Sequence, residues 1–373
     1  MPLAKLAAPL IAAAMLASLA AAASASAADP AIWKQQSATT IDFHYWQGVT
    51  SVTGSADPSL LFTGIADGAY RTNSKLRQLA ASDPAIPAAV SAAEHYNHIG
   101  DASFDQGSGG RLLLPIECYY PGAGGNTCKT GAIGVANPQS LAWRYYVKLD
   151  PAEIAKAMWV EADPAGQLLW TSSGRDLLAY RAADVNPKNA APSHGPIKAA
   201  RKLVGAVPPT GVTGAVFWRG RLLLAGQSGQ KFQIWSVNVA TGARTLELEK
   251  TLSGESEGLD IVPVAGGLLQ WQLMPATNTP PASYPQPTLL SFLPTRPPTL
   301  KLSARADGRK AILVTVTVGP GQPIPHAAVR LGAARGWSGR DGRVRLKVAM
   351  PKRRTTLTAT LTGTRSGSLR LGR

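Results

Sequence analysis

The 373-residue chain contains only two cysteines, Cys118 and Cys128, and only 16% of its residues are charged. Two cysteines without histidine partners nearby exclude a four-ligand thiolate zinc site. No apolar run of about 20 residues follows residue 28, which excludes a polytopic helical membrane protein. The sequence also lacks the G-x-S-x-G, H-E-x-x-H, Walker-type and dinucleotide-binding motifs, so no motif indicates a class of catalysis.

Glycine and proline are frequent, with 37 and 29 copies, about 18% of the chain. That share stays below the level of roughly 25–30% that marks low-complexity chains. Nine tryptophans indicate packed hydrophobic cores. The length suits two domains rather than one small module.

The first 28 residues have the three parts of a secretory signal. Lys5 gives a positive start, residues 6–23 form an apolar stretch rich in Ala and Leu, and Ala25-Ser26-Ala27 offers a cleavage site. A membrane anchor at the start of the chain is the alternative. In an exported chain, two cysteines ten residues apart predict a single disulfide between Cys118 and Cys128.

The positive charge is concentrated near the end of the chain. Residues 296–373 contain 17 Lys and Arg but only two acidic residues, Asp307 and Asp341, which gives +15 of the total net charge of +16. Residues 30–295 are nearly neutral, with 20 basic and 19 acidic residues. The proline-rich segment 294–298 separates the two parts and predicts a stiff joint.

The basic segment, residues 299–373, predicts a small β-sandwich. Segments 311–318, 327–331, 342–348 and 355–361 are β-branched or alternate apolar with polar residues. Residues 321–332, followed by Ser-Gly-Arg-Asp-Gly-Arg-Val at 338–344, resemble the Ig-like and carboxypeptidase-regulatory-like modules of bacterial exported proteins. The resemblance implies an Ig-like sandwich and no particular activity.

Five paired segments in the large body form a repeat. The second member of each pair contains Leu-Leu, and these segments are 58–62, 110–114, 166–170, 220–224 and 266–270. The first members are 47–52, 99–104, 159–163, 213–217 and 257–261. Repeats of about 40 to 50 residues with four strands each are typical of β-propeller blades. The sequence therefore predicts an all-β protein with a five-bladed propeller over residues 29–295, and a sixth, composite blade around residues 70–93 is the alternative.

The repeat resembles known propellers in one further respect. The segment Glu-Ser-Glu-Gly-Leu-Asp at 255–260, followed by Gly-Leu-Leu at 267–269, resembles the opening of blades in secreted bacterial propellers, including the esterase-like phytase and gluconolactonase-like groups. Residues 97–101 repeat the pattern. The resemblance covers most of residues 40–295, implies the fold and assigns no catalytic residue. Glycines 48, 100, 214 and 258 take equivalent positions, which predicts close approach of backbones in the channel.

Polar side chains flank these equivalent positions and should converge where the innermost strands meet. The candidate ligand-binding residues are Gln47, His98, Asp101, Glu161, Glu257 and Asp260. Three of them, Asp101, Glu161 and Glu257, are candidate metal ligands, and oxygen ligands of this kind suit calcium. Two alternatives stay open: hydrogen bonds that tie strand ends together, and catalysis by a carboxylate pair or a His/Asp dyad.

The sequence thus predicts an exported protein, extracellular or associated with the cell envelope, with the channel mouth recognising a ligand. The basic domain would dock on an anionic cell-wall polymer, a polysaccharide or a membrane surface. A solvated basic surface that protects edge strands from aggregation is the alternative. A monomer is expected, and nucleic acid is not an expected partner, because the chain carries an export signal and no nucleic-acid-binding module. A secreted hydrolase of a phosphoester, lactone or glycoside is the alternative function.

Overall fold

A computed structural model describes residues 33–64, 67–119, 128, 130–275, 286–319 and 321–372, so the predicted signal lies outside the described residues. The first 21 strands are β1 (Trp33–Thr40), β2 (Gly48–Ser51), β3 (Leu60–Thr63), β4 (Ala69–Thr72), β5 (Gln78–Ser82), β6 (His98–Ile99), β7 (Ser103–Asp105), β8 (Arg111–Glu117), β9 (Ala132–Ala136), β10 (Trp143–Lys148), β11 (Glu161–Ala162), β12 (Leu168–Ser173), β13 (Asp176–Arg181), β14 (Arg201–Leu203), β15 (Gly211–Trp218), β16 (Arg221–Ser228), β17 (Lys231–Val237), β18 (Arg244–Thr251), β19 (Glu255–Ile261), β20 (Leu269–Met274) and β21 (Thr288–Pro294).

The remaining strands are β22 (Lys301–Ala306), β23 (Ile312–Val318), β24 (Gln322–Pro323), β25 (Ala328–Leu331), β26 (Ala334–Trp337), β27 (Arg343–Leu346), β28 (Thr355–Thr360) and β29 (Gly367–Leu371). One α-helix, α1 (Ala88–Glu94), and two short 3₁₀ helices, Ala182–Asp184 and Pro187–Asn189, complete the secondary structure of the described residues.

Strands β1 to β21 form five antiparallel sheets, which are the blades of the propeller. Blade 1 contains β2–β5, blade 2 contains β6–β10, blade 3 contains β11–β14 and blade 4 contains β15–β18. Blade 5 contains β19–β21 together with β1. In blade 2 the innermost strand is interrupted, so that β6 and β7 both pair with β8. Every pair of segments predicted from the repeat supplies the first two strands of one blade.

The segment considered for a sixth blade belongs to blade 1. Strands β4 and β5 pair with each other and with β3, and α1 leads from blade 1 to blade 2. Blade 5 is completed by the first described strand, because β1 pairs antiparallel with β21 along the whole of β1. This pairing closes the ring by joining the two ends of the propeller segment.

Glycines allow the inner strands to approach one another closely. A Cβ on Gly48 would lie 2.6 Å from the Cα of Asp101, and a Cβ on Gly214 or Gly258 would overlap the backbone of the neighbouring blade. A Cβ on Gly100 would overlap the carbonyl oxygen of Met158. The crowding predicted from the equivalent glycines is therefore present in the structure.

The predicted disulfide between Cys118 and Cys128 is confirmed, with a Cα–Cα distance of 5.4 Å. It links the residue directly after β8 with the segment that precedes β9. Cys118 is 1% exposed and belongs to the hydrophobic cluster of blades 1 and 2. The disulfide therefore fastens the connection between two neighbouring strands of blade 2 to a packed core.

The segment after Pro294 folds as a two-sheet sandwich. The first tail sheet contains β22, β23, β24 and β27, and the second tail sheet contains β26, β25, β28 and β29. Val314 and Leu346 of the first sheet and Val329 and Leu357 of the second are buried in one hydrophobic cluster. The same cluster includes Trp271 and other residues of blades 4 and 5, so the sandwich packs directly on the propeller.

We expect Gly100→Ala to destabilise the protein by about 1–3 kcal/mol or more, because the added methyl group must push the backbone of Met158 away. Gly195→Ala is the matched control, since a Cβ there meets no atom within 4 Å and φ is not positive. Urea unfolding monitored by tryptophan fluorescence measures both effects. Equal midpoints for the two variants would contradict close contact between blades 2 and 3.

Candidate functional site

The innermost strands of the five blades line a narrow channel. Strand β2 packs against β19 and β7, strand β11 packs against β7 and β15, and β15 packs against β19, which completes the ring. Asp101 and Trp159 form a parallel bridge between blades 2 and 3. Because the inner strands run in one direction, all begin at one end of the channel and finish at the other. The strands begin at the end that contains Glu257, which we name the Glu257 end. They finish at the end that contains Arg340, which we name the Arg340 end.

Asp101 lies between the two ends and joins blade 2 to three other blades. Its carboxylate accepts hydrogen bonds from the backbone N–H groups of Val49 at 2.9 Å, Ala215 at 3.0 Å and Leu259 at 3.3 Å, which belong to blades 1, 4 and 5. Burial raises the pKa of Asp101 well above its ordinary value, while these N–H groups oppose the rise. Since every partner is a donor, the carboxylate serves here to hold inner strands together.

The Glu257 end contains Gln47, His98 and Glu257 together with Glu117, which the sequence analysis did not select. All four are at most 9% exposed. The Nδ1 atom of His98 lies 3.0 Å from Oε1 of Glu117. Burial raises the pKa of Glu257 well above its ordinary value, and the charges of Glu255, Asp101 and Glu117 raise it further. This end therefore combines a histidine with several buried carboxyl groups.

Some polar atoms at this end lack hydrogen bonds within the described residues. They include Nδ1 of His98 and Oε2 of Glu117, although each lies near a charged group. The His98–Glu117 contact is short enough for an ion pair but is not aligned as a hydrogen bond. The nearest cation to Glu117 Oε2 is Nζ of Lys156, at 3.8 Å. Buried polar atoms without such partners are candidates for contact with a ligand or with water.

At the Arg340 end, a side chain from the tail sandwich enters the channel. Nη1 of Arg340 lies 2.8 Å from Oε1 of Glu161 and 3.2 Å from Oγ of Ser103, and Nη2 lies 3.1 Å from Oγ1 of Thr50. The backbone N–H of Arg340 also donates to Oε1 of Gln106 at 2.7 Å. The guanidinium thus contacts blades 1, 2 and 3, and the space left beside it is about 20 Å3, room for roughly one water molecule.

Two further titratable groups surround Arg340. Burial raises the pKa of Asp260 to about 6, and Arg340 opposes this rise. Burial and the charge of Arg340 lower the pKa of His326 to about 3, so His326 is neutral near pH 7. Nε2 of His326 lies 3.0 Å from Oγ of Ser51 in blade 1. Burial also lowers the pKa of Arg340, but Glu161 and Asp260 outweigh it and leave that pKa above its ordinary value.

All six residues predicted to bind a ligand are buried along the channel, but they are not gathered at one mouth. Gln47, His98 and Glu257 belong to the Glu257 end, whereas Glu161 and Asp260 belong to the Arg340 end. Convergence on the axis was predictable, since the flanking glycines are equivalent. The separation follows from strand direction, because residues before and after the glycine lie at opposite ends of an inner strand.

Two of the three predicted metal ligands, Asp101 and Glu161, have side-chain partners within the protein. Asp101 accepts three backbone hydrogen bonds, and Glu161 is bonded to Arg340, to Oγ of Ser103 and to the N–H of Phe217. Across the ranges given above, no group of three or more His, Cys, Asp or Glu side chains is arranged to hold a metal ion. Calcium stays a prediction from the sequence. In the same ranges, no helix is both long and apolar enough to cross a membrane.

The residues that close the Arg340 end were not predicted from the sequence. Arg340 occupies the turn Gly339-Arg340-Asp341-Gly342, where a basic side chain normally points into solvent, and His326 lies between two strands of the sandwich. No local signal marks either residue as buried. Glu117 could have been found, because it is the last residue of β8, the Leu-Leu strand of blade 2, and pairs with His98.

We expect Arg340→Ala to lower the free energy of unfolding by about 3–5 kcal/mol, because Glu161 and Asp260 would remain buried without their cation. Arg343→Ala is the matched control, since that side chain is 61% exposed and lies 3.9 Å from Asp341. The control substitution should lower the free energy of unfolding by less than about 1 kcal/mol. Urea unfolding of the full chain compares the two. Equal losses would show that Arg340 is not held in the channel.

The pH dependence of stability should report the protonation of Asp260, whose carboxyl faces Arg340, Glu161 and Ser51. Between its ordinary pKa of 3.8 and its folded pKa of about 6, the folded protein binds more protons than the unfolded chain. The contribution of Asp260 to the free energy of unfolding therefore falls by about 3 kcal/mol as pH rises through this window. Asp260→Asn should remove that fall, measured by urea unfolding between about pH 4 and pH 7. Parallel profiles for the variant and the parent protein would contradict the buried position of Asp260.

No family model matches the sequence, and no curated protein matches it. Solved structures that are similar include a glutaminyl cyclase from Myxococcus xanthus, with a TM-score of 0.42, 9% identity and coverage of 71% of this chain and 97% of that chain. A glucose dehydrogenase has a TM-score of 0.37, 10% identity and coverage of 69% and 99%. The propeller architecture of this chain follows from its own strand order.

Proposed function

We propose that this is an exported binding protein of the cell envelope, whose basic tail sandwich docks on an anionic surface polymer. The propeller, in this proposal, recognises a ligand at the Glu257 end of its channel. The proposal is supported above all by the separation of charge between a nearly neutral propeller and a strongly basic, exposed sandwich.

The basic residues of the tail are available for contact. Of the 15 Lys and Arg residues between Lys301 and Arg370, 14 are exposed, and Arg340 alone is buried. The two acidic residues of the tail are each paired locally, Asp307 with Arg345 at 2.5 Å and Asp341 with Arg343 at 3.9 Å. The excess positive charge therefore lies on the surface, where it attracts anions over about a Debye length, roughly 8–10 Å.

Export is supported by two independent features. Residues 1–28 carry the sequence pattern of a secretory signal. The disulfide between Cys118 and Cys128 suits an oxidising compartment, because cytosolic thiols are kept reduced. An anionic polymer outside the cell is then the partner that this charge distribution would meet.

The Glu257 end supports ligand recognition because the opposite end is covered by the sandwich. Arg340 and His326 fill the Arg340 end, so a ligand would reach the channel where the inner strands begin. His98, Glu117 and Glu257 are buried there, and Nδ1 of His98 and Oε2 of Glu117 lack hydrogen bonds to described residues. Such a set favours a ligand that donates hydrogen bonds or carries positive charge.

Binding to a polyanion tests the first part of the proposal. The full mature chain should be retained on immobilised dextran sulfate but not on uncharged dextran. Retention should weaken as salt rises from about 0.1 to 1 M, because the Debye length falls from about 10 to 3 Å. Replacing the exposed residues Lys301, Lys347 and Lys352 with Glu should lower the salt concentration needed for release.

The matched control reverses three exposed lysines of the propeller, Lys34, Lys75 and Lys188, and so changes the net charge equally. We expect this control to be released close to the salt concentration that releases the parent protein. Equal shifts in the two triple variants would show that net charge alone determines retention, and the proposed role of the tail would then be wrong.

A secreted hydrolase acting at the Glu257 end is the second candidate function. The specific observation in its favour is the buried His98–Glu117 contact beside Glu257, whose raised pKa suits a general acid. A screen on phosphoester, lactone and glycoside substrates, with and without a calcium chelator, separates a hydrolase from a binding protein. Turnover that Glu257→Gln abolishes would favour the hydrolase.

A further inference from the structure

A groove lies between the tail sandwich and blade 1. Its walls come from Ser55, Pro58 and Pro263 of the propeller and from Trp337 and Thr360 of the second tail sheet. The groove has a volume of about 450 Å3, which falls within the usual range of ligand sites, roughly 300–1,000 Å3. We call it the Trp337 groove. His326, which lies beside Arg340 at the channel end, also lines this groove.

The floor of the groove continues into an arginine-bearing surface. Trp337 pairs with Ala328 across β26 and β25, and Ala328 pairs with Thr360 of β28. The next row on the same outer face contains Arg335, Arg330, Thr358 and Ser368, in register across four strands. Residues two apart on a strand share a face, so this row lies about 6.6–6.8 Å from Trp337 along the sheet.

Arg330 and Arg335 face each other directly on neighbouring strands. Like charges in this position are destabilising unless an anion lies between them. Neither arginine forms an ion pair with another described residue, and the two acidic residues of the tail are paired with Arg343 and Arg345 of the other sheet. Nε of Arg330 donates only to the backbone carbonyl of Gly332. The pair is therefore left to bind an anion from outside the chain.

The surroundings of the two arginines favour a sugar polymer over other anions. Hydroxyl side chains lie beside them on the same face, at Thr356, Thr358, Thr360 and Ser368. An indole ring offers a flat apolar surface on which a sugar ring can rest. Hydroxyl side chains form hydrogen bonds with sugar hydroxyls. Guanidinium groups bind carboxylate or sulfate in a bidentate manner.

A lipid surface fits this face less well. The large hydrophobic residues that are exposed among the described residues are Phe43, Leu79, Tyr119, Val204 and Leu246, and all lie in the propeller. The described part of the tail therefore offers no strongly exposed apolar side chain for insertion between lipids. A basic surface without exposed apolar side chains suits an extended, hydrated polyanion.

We propose that the Trp337 groove and the adjoining row of Arg330 and Arg335 form one binding site for an acidic polysaccharide, such as a polymer of uronic acid. The sugar ring would rest on Trp337, and its carboxylates would pair with the two arginines. This inference rests on the proposed function, because it names the class of polymer and the face on which the basic tail would hold it.

Binding of the full chain to polygalacturonate tests the inference, with polyglutamate as a polyanion that has no sugar rings. Trp337→Ala should weaken binding to polygalacturonate about tenfold and change binding to polyglutamate less than twofold. Trp337→Leu, which keeps an apolar side chain but removes the aromatic ring, should behave in the same way if the ring is what binds. Trp235→Ala, at a half-buried tryptophan of blade 4, is the matched control and should change neither.

The paired arginines need a separate control. Arg330→Ala with Arg335→Ala should weaken binding to polygalacturonate at least tenfold, whereas Arg305→Ala with Arg309→Ala, at exposed positions elsewhere in the tail, should weaken it no more than twofold to threefold. Equal effects of the two double variants would overturn the site. Thermal unfolding of each variant establishes that the fold is intact.

Three other results would also overturn the inference. Unchanged binding of polygalacturonate by both Trp337 variants would remove the groove from the site, and an equal loss with polyglutamate would leave only general electrostatic attraction. Tighter binding to single-stranded nucleic acid or to vesicles of anionic phospholipid would name another partner. Failure to bind any polyanion would instead contradict the proposed function itself, and so the two failures are distinguishable.

Discussion

The position of the tail on the propeller depends on one buried cation. The guanidinium of Arg340 would be costly inside the channel by itself, and Glu161, 2.8 Å away, compensates for its charge. Arg340 comes from a turn of the sandwich and Glu161 from blade 3, so the ion pair joins two parts that are far apart in sequence. Hydroxyl groups of Ser103 and Thr50 satisfy further N–H groups of the cation. The pair therefore fixes which face of the sandwich meets the propeller.

That orientation decides which surfaces remain available. The Arg340 end of the channel is covered, so chemistry on a ligand would have to occur at the Glu257 end. The other 14 basic residues between Lys301 and Arg370 are exposed, some on the outer faces of the two sheets and some in the loops between strands. The sandwich thus uses one arginine for internal packing and presents the remaining positive charge outward. There Arg330 and Arg335 lie opposite each other, and neither is paired with an acidic side chain of the described residues.

The sequence predicted the blades well because their signals are local. Each Leu-Leu segment with its preceding strand became the inner half of a blade, and glycines 48, 100, 214 and 258 lie where backbones touch. Closure of the ring by β1 was not predicted, because the pairing of β1 with β21 joins residues more than 200 positions apart. The candidate site was predicted only in part. Burial of Glu161 and Asp260 followed from the repeat, but Arg340 is brought to them by tertiary packing that no pattern in its own turn reveals.

A double-mutant cycle on Arg340 and Glu161 tests this account most directly. The four proteins are the parent, Arg340→Ala, Glu161→Gln and the double variant, and the quantity measured is the free energy of unfolding in urea. A buried pair that joins the sandwich to the propeller should give a coupling energy of about 2 kcal/mol or more. Single effects that add to within about 0.5 kcal/mol would mean that the two side chains do not meet, and the arrangement of the tail on the channel would be wrong.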